Sequence, residues 1–226
     1  TRDALFRQAS ASQSNTDPAT REAYRYRTAM HLGFEAIGNR PLSIKTAITI
    51  CSTIKNTDLD VRKLPGTTLA NEQTGKVIYT PPDREAIIRD LLADMFQFLH
   101  ERDEIDPLVR LAAAHYQFEA IHPFSDGNGR TGRVLNVLFL ISESLLNLPT
   151  LYLSGYINRN RNDYYRLLLK VTADEEWEAW ISFLLHGITE SANEACIKID
   201  AIRQQMQSTS EIIQSEAPRL YSRELI

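Results

Sequence analysis

Cysteine is almost missing from these 226 residues: Cys51 and Cys196 stand far apart, and neither has a second cysteine or histidine at ligand spacing. That excludes a disulfide-stapled small fold and a structural zinc site, and both thiols are expected to be buried in a reducing, cytoplasmic compartment. No apolar run is long enough to cross a bilayer. The longest, 134–141, contains Asn136 and gives way to Ser142, Glu143 and Ser144. The opening T-R-D-A-L-F-R-Q lacks the apolar core of a signal peptide. Positive charge is not in excess, with 25 Lys and Arg against 29 Asp and Glu, which argues against a nucleic-acid surface. Internal repeats are absent. Glycine is scarce, nine in all, yet three of the nine fall between residues 122 and 133.

That stretch reads H-P-F-S-D-G-N-G-R-T-G-R and lies between two apolar segments with helical spacing. It is expected to be a loop leading into a helix near Arg130. Gly127, Asn128 and Gly129 allow positive φ and close backbone approach, so their N–H groups can converge on an anion. The helix N-terminus adds free N–H groups and the positive end of its dipole. Arg130 and Arg133, three apart, can fork onto phosphate oxygens. Asp126 is placed to hold Mg²⁺ against phosphates, and His122 is a base suited to removing a proton from a hydroxyl near neutral pH. Residues 127–132 also spell G-x-G-x-x-G. The dinucleotide reading of that motif requires a preceding strand and an acidic residue about 20 positions on, and neither is present. No Lys-Ser or Lys-Thr follows the glycines, so the phosphate-loop pattern fails too.

The string resembles the Fic pattern H-x-F-x-[D/E]-G-N-G-R-x-x-R at every fixed position: His122, Phe124, Asp126, Gly127, Asn128, Gly129, Arg130 and Arg133. The resemblance runs over about residues 17–200 and includes P-P at 81–82, L-Y-L-S at 151–154 and N-D-Y-Y at 162–165. It implies an all-α Fic-type helical bundle with one small β-hairpin flap. It also implies transfer of AMP from ATP to a Ser, Thr or Tyr hydroxyl of a target protein, with self-modification and Mg²⁺. Under it His122 is catalytic, Asp126 holds the metal, and Gly127, Asn128, Gly129, Arg130, Thr131, Gly132 and Arg133 bind the nucleotide. Tyr164 and Tyr165 flank the adenine side, with Tyr165 preferred. Lys76, Val77, Ile78 and Tyr79, the one convincing strand sequence, form the flap that receives the target.

Along the chain, residues 3–12 read as a short helix and 12–16 as a loop. Asp17-Pro18 caps a helix to about Ile37, stopped by Gly38-Asn39. Pro41 is expected to open the next helix, and Asp83 and Asp106-Pro107 two more. His31 and His115, without ligand partners, read as surface or packing residues. Val134 to Leu146 reads as the buried centre, ended by Pro149. Thr172 with Glu175 reads as a capping box opening a long helix through Trp177, Trp180 and Ile188. Beyond about 200 the chain turns Gln- and Ser-rich, as a linker or a helix leaving the core.

Three units are therefore expected: an N-terminal segment 1–16, a catalytic domain 17–200 and a linker 201–226. Lacking an initial Met and ending in Y-S-R-E-L-I, the sequence reads as part of a longer protein. Many relatives of this pattern carry an inhibitory S/T-x-x-x-E-G/N helix whose Glu pairs with the residue that is Arg133 here. No Glu in this chain is followed by Gly or Asn. The helix is expected upstream of Thr1, and this fragment is expected to be de-repressed. Two alternatives stand. Related proteins move phosphate, UMP or phosphocholine, although the phosphate-transferring type has a Lys where this chain has Gly129. A nucleotide-sensing regulator continuing into a DNA-binding winged helix is the other. Homo-oligomerisation is left open, and no membrane partner is expected.

Overall fold

The computed structural model describes residues 17–38, 40–70, 77–100 and 104–216. The expected helix at 3–12, the loop at 12–16, Asn39, the polar loop 71–75, Lys76 and the segment 217–226 lie outside the described residues. Eight helices and two short strands are described.

Helix α1, Pro18–Ile37, opens as expected, with the Asp17 carboxylate accepting from the N–H groups of Ala19 at 3.0 Å and Thr20 at 3.1 Å. Helix α2, Ile44–Lys55, starts later than Pro41. A reciprocal cap between Ser43 and Thr46 sets its first turn, and Asn56 ends it in the left-handed region. Strands β1, Leu69–Ala70, and β2, Val77–Tyr79, pair antiparallel with an irregular register. Helix α3, Glu85–His100, follows; its ladder opens with Ile88 N–H on the Arg84 carbonyl, one residue after the expected Asp83 cap. Asp106-Pro107 opens α4, Pro107–Ile121, as its sequence predicts.

Helix α5, Asn128–Ser142, is the centre of the bundle, with every residue from Val134 to Leu140 buried. It packs on α1, α2 and α4. It approaches α1 so closely that a methyl group on Gly33 would fall 2.5 Å from Leu138 Cδ1. The helix stops at Glu143, well before Pro149. Helices α6, Leu153–Arg159, and α7, Arg161–Asp174, close one side, and α8 runs for 40 residues from Trp177 to Glu216.

The proposed capping box at Thr172 is not one. Thr172 lies inside α7 with its hydroxyl turned back to the Leu168 carbonyl at 3.1 Å, and Glu175 is the left-handed end of that helix. The apolar period through Tyr164, Leu167 and Val171 carries the helix past the local cap signal. Trp180, fully buried, fastens α8 to α4 by donating Nε1–H to the Ala112 carbonyl at 2.8 Å. Past Ala192 the long helix leaves the core, and Cys196, expected to be buried, is exposed there because it lies beyond the last packed turn.

Candidate active site

The catalytic candidate ends a helix. His122 follows the last residue of α4 with φ 48°, in the left-handed region where glycine is usual, and its N–H bonds to the Phe118 carbonyl at 3.0 Å. Its carbonyl accepts from Arg62 Nε at 2.8 Å. The same guanidinium donates to the carbonyls of Ile121, at 3.2 Å, and Pro82, and the Arg62 N–H donates to the Pro123 carbonyl at 2.9 Å. Burial of the imidazole, with help from Arg62, holds His122 below the ordinary histidine range, against the opposing Glu119 carbonyl and Asp126. It is therefore neutral at neutral pH, with Nδ1 buried.

From there the chain turns back on itself. The Asn128 side chain accepts from Phe124 N–H at 2.9 Å and donates to the Phe124 carbonyl at 2.8 Å, closing the loop. Both ends of its amide are thereby engaged within the protein. Gly127 alone of the three loop residues takes positive φ, 89°, and a side chain there would press on Cys51 Sγ at 3.2 Å. Helix α5 starts directly behind it, two residues earlier than the expected start at Arg130. Its ladder begins at Thr131 N–H on the Gly127 carbonyl. The N–H groups of Asn128, Gly129 and Arg130 thus have no partner inside the helix, the arrangement by which a helix N-terminus suits an anion.

Charge surrounds that site. Asp126 is paired with Lys55 and reaches Arg130 at 3.4 Å; the hydrogen bond from Lys55 and the Gly127 N–H hold its carboxyl below the usual range, against partial burial. Arg130 also binds Glu22 of α1, and Arg133 Nε donates to Ser154 Oγ at 2.9 Å. Thr131 and Gly132, expected among the nucleotide ligands, are turned the other way. Thr131 is fully buried, and Gly132 packs against His115, Phe118 and Glu119 because these positions lie on the core face of α5.

His122, Asp126, Arg130 and Arg133 share one cleft of about 440 Å³, large enough for a nucleotide. Its far wall is formed by Ile157, Asn158, Arg161, Tyr164 and Tyr165. Tyr165 is 55% exposed, with Arg161 over its ring at 5.6 Å, whereas Tyr164 is buried and bonded to His115 at 2.9 Å. On the hairpin, Val77 and Ile78 are exposed and Tyr79 half-buried. Arg62, Lys55, Glu22 and Glu119 were not foreseen. Glu119 alone carried a local signal, since it precedes His122 by three and shares its side of α4.

Residues 41–140 match the model of the Fic/DOC family. The chain carries a Fic domain. Over 65 residues the chain is 42% identical to protein adenylyltransferase fic-1 of Caenorhabditis briggsae, covering 28% of this chain and 13% of that one. A probable protein adenylyltransferase of Aquifex aeolicus is 34% identical over 90 residues, 40% of this chain and 25% of the other. Among solved structures, a Fic family protein from Desulfovibrio desulfuricans superposes with a TM-score of 0.69 at 24% identity, covering 88% of this chain and 60% of its own. Fic-1 of C. elegans gives 0.61 at 20%, covering 90% and 58%. The bundle is the Fic fold. The chain spans only part of each of these relatives.

Proposed function

We propose that this Fic domain transfers AMP from ATP to a Ser, Thr or Tyr hydroxyl of a protein. The observation that carries the reading is a neutral, half-buried imidazole opening on the same cleft as three free helix N–H groups and two arginines. His122 takes the proton as the target oxygen forms its bond to the α-phosphorus; the bond from that phosphorus to the bridging oxygen breaks, and pyrophosphate leaves. The N–H groups of Asn128, Gly129 and Arg130 face the charge that develops on the α-phosphate, and Arg130 and Arg133 hold the outer phosphates in line. The Tyr165 ring supplies a wall for the base. Val77, Ile78 and Tyr79 present an edge to an extended target segment.

Asp126 fits Mg²⁺ as the metal is usually held beside nucleotides, by one carboxylate with phosphate oxygens and water completing the shell. Among the described residues no cluster of three carboxylate, histidine or cysteine groups offers a cage made of protein alone. Bound there, Mg²⁺ would neutralise phosphate charge, and Asp126 would have to leave Lys55 to take it. No described helix is long and apolar enough to cross a membrane, and a cytoplasmic setting is part of the proposal.

The test is incubation with Mg²⁺ and ATP labelled on either the α- or the γ-phosphate, followed by mass spectrometry of the protein. Label from the α-position with the mass of AMP, on the chain itself or on an added target, is the expected result. Label from the γ-position alone would replace this reading with phosphate transfer. ATP binding without any transfer would favour a sensor.

A further inference from the structure

Below the cleft runs a polar chain that the proposed transfer leaves unused. Asn136, buried in α5, donates its amide to His115 Nδ1 at 3.0 Å. Burial pushes His115 down to about 3, with Arg133 adding to the fall, so the ring is neutral and its one proton is on Nε2. That N–H donates to the Tyr164 oxygen at 2.9 Å. The Tyr164 hydroxyl proton is left for the carboxyl of Glu119, the last member of the chain, which lines the cleft. Each donor's direction is fixed by the one before it.

Glu119 is an unusual group to find there. Its Oε1 is buried without a hydrogen-bond partner, tucked against the first turns of α5, 3.6 Å from where a methyl on Gly129 would sit and 3.2 Å from one on Gly132. Arg133 faces it from α5, Tyr164 from α7, and His115 and His122 flank it on α4. Arg133 gives its Nε to Ser154 instead. A carboxylate beside an anion site opposes a polyphosphate; a carboxylic acid does not, and it brings a donor.

We propose that Glu119 is a nucleotide-site residue that works as a neutral acid: a polyphosphate enters the cleft together with one proton taken from solvent and held on Glu119. The proposal rests on the nucleotide reading above. Burial already pushes Glu119 up to about 7 with the cleft empty, against the opposing Arg133 and Tyr164. A bound triphosphate, by like-charge repulsion, raises it further. Linkage then requires nucleotide affinity to fall by up to about tenfold per pH unit above 7, with uptake near one proton per ligand at pH 8. Adenosine, without phosphate, takes up none.

Calorimetry tests this with the Mg²⁺ complex of α,β-methylene ATP, which cannot donate AMP, and with adenosine. Measurements at pH 8 in two buffers of different ionisation heat count protons, and a His122→Ala background removes uptake by that imidazole. About one proton for the analogue, none for adenosine, and loss of both the proton and the pH dependence in Glu119→Gln are expected. Binding with no proton uptake, or uptake unchanged in Glu119→Gln, overturns the proposal and leaves the nucleotide reading intact. No binding at any pH overturns both. Should Glu119→Gln fail to fold, infrared difference spectra of the protein with labelled Glu carboxyls decide: a protonated-carboxyl band must appear on adding the analogue at pH 8, and its absence overturns the proposal.

Discussion

Around His122 the backbone is held at almost every polar atom: Asn128 clasps Phe124 from both sides, Arg62 takes the carbonyls of Ile121 and His122, and Gly127 N–H is taken by Asp126. At the hairpin, two residues of β1 pair irregularly with β2, and Val77 and Ile78 face solvent. The contrast matches what each is proposed to do. Reacting atoms gain rate from being fixed before the substrate arrives. An edge that is to accept a peptide must keep its own groups uncommitted.

The contrast is sharpened most by His122→Ala. It removes the base from a loop that otherwise stays closed, and single-turnover transfer should slow by on the order of 10²–10⁴ with nucleotide affinity nearly unchanged. An equal rate would end the assignment. Asn128→Ala strikes the loop itself. The Phe124 N–H and carbonyl would lose their partners inside the core, costing roughly 2–4 kcal/mol in thermal or urea unfolding.

The third effect lies under the loop and appears as pH dependence. His115 falls from 6.5 in the unfolded chain to about 3 in the fold, so the stability it contributes is present above 6.5 and is lost as the pH drops toward 3. Unfolding measurements should show about 2 kcal/mol lost between pH 7 and pH 5 from this group, a limb that His115→Gln flattens. Smallest is the change at the flap. Ile78→Asp should raise KM for a protein target roughly tenfold and leave both stability and nucleotide affinity where they were. A loss of nucleotide binding in that variant would erase the division of labour between the two regions.

What could be read from the chain alone follows the range of the interactions. Asp17 and Asp106 announce themselves because a cap and its helix are neighbours in sequence, whereas α5, which has no side-chain cap, starts two residues before the place its sequence suggests. The same local grammar misled at Thr172, where a T-x-x-E string sits in the last turns of a helix that its apolar face had already secured. Arg62 and Lys55 were invisible because their partners lie 60 and 71 residues away, and nothing in V-R-K-L-P or T-I-K-N marks a residue that reaches so far. The motif residues split by helical phase: Arg130 and Arg133 point into the cleft, while Thr131 and Gly132, between them, belong to the core. A consensus string carries no record of which letters face which way.

Arg62 has one more consequence. Its fork bridges the exit of the hairpin at Pro82 and the negative end of α4, so the edge proposed to accept a peptide and the backbone of the proposed base hang from a single planar cation. An ammonium in its place has no rigid fork with which to span the same carbonyls. Replacing Arg62 with Lys keeps the charge and cuts the tie, so base and edge would then drift independently of each other.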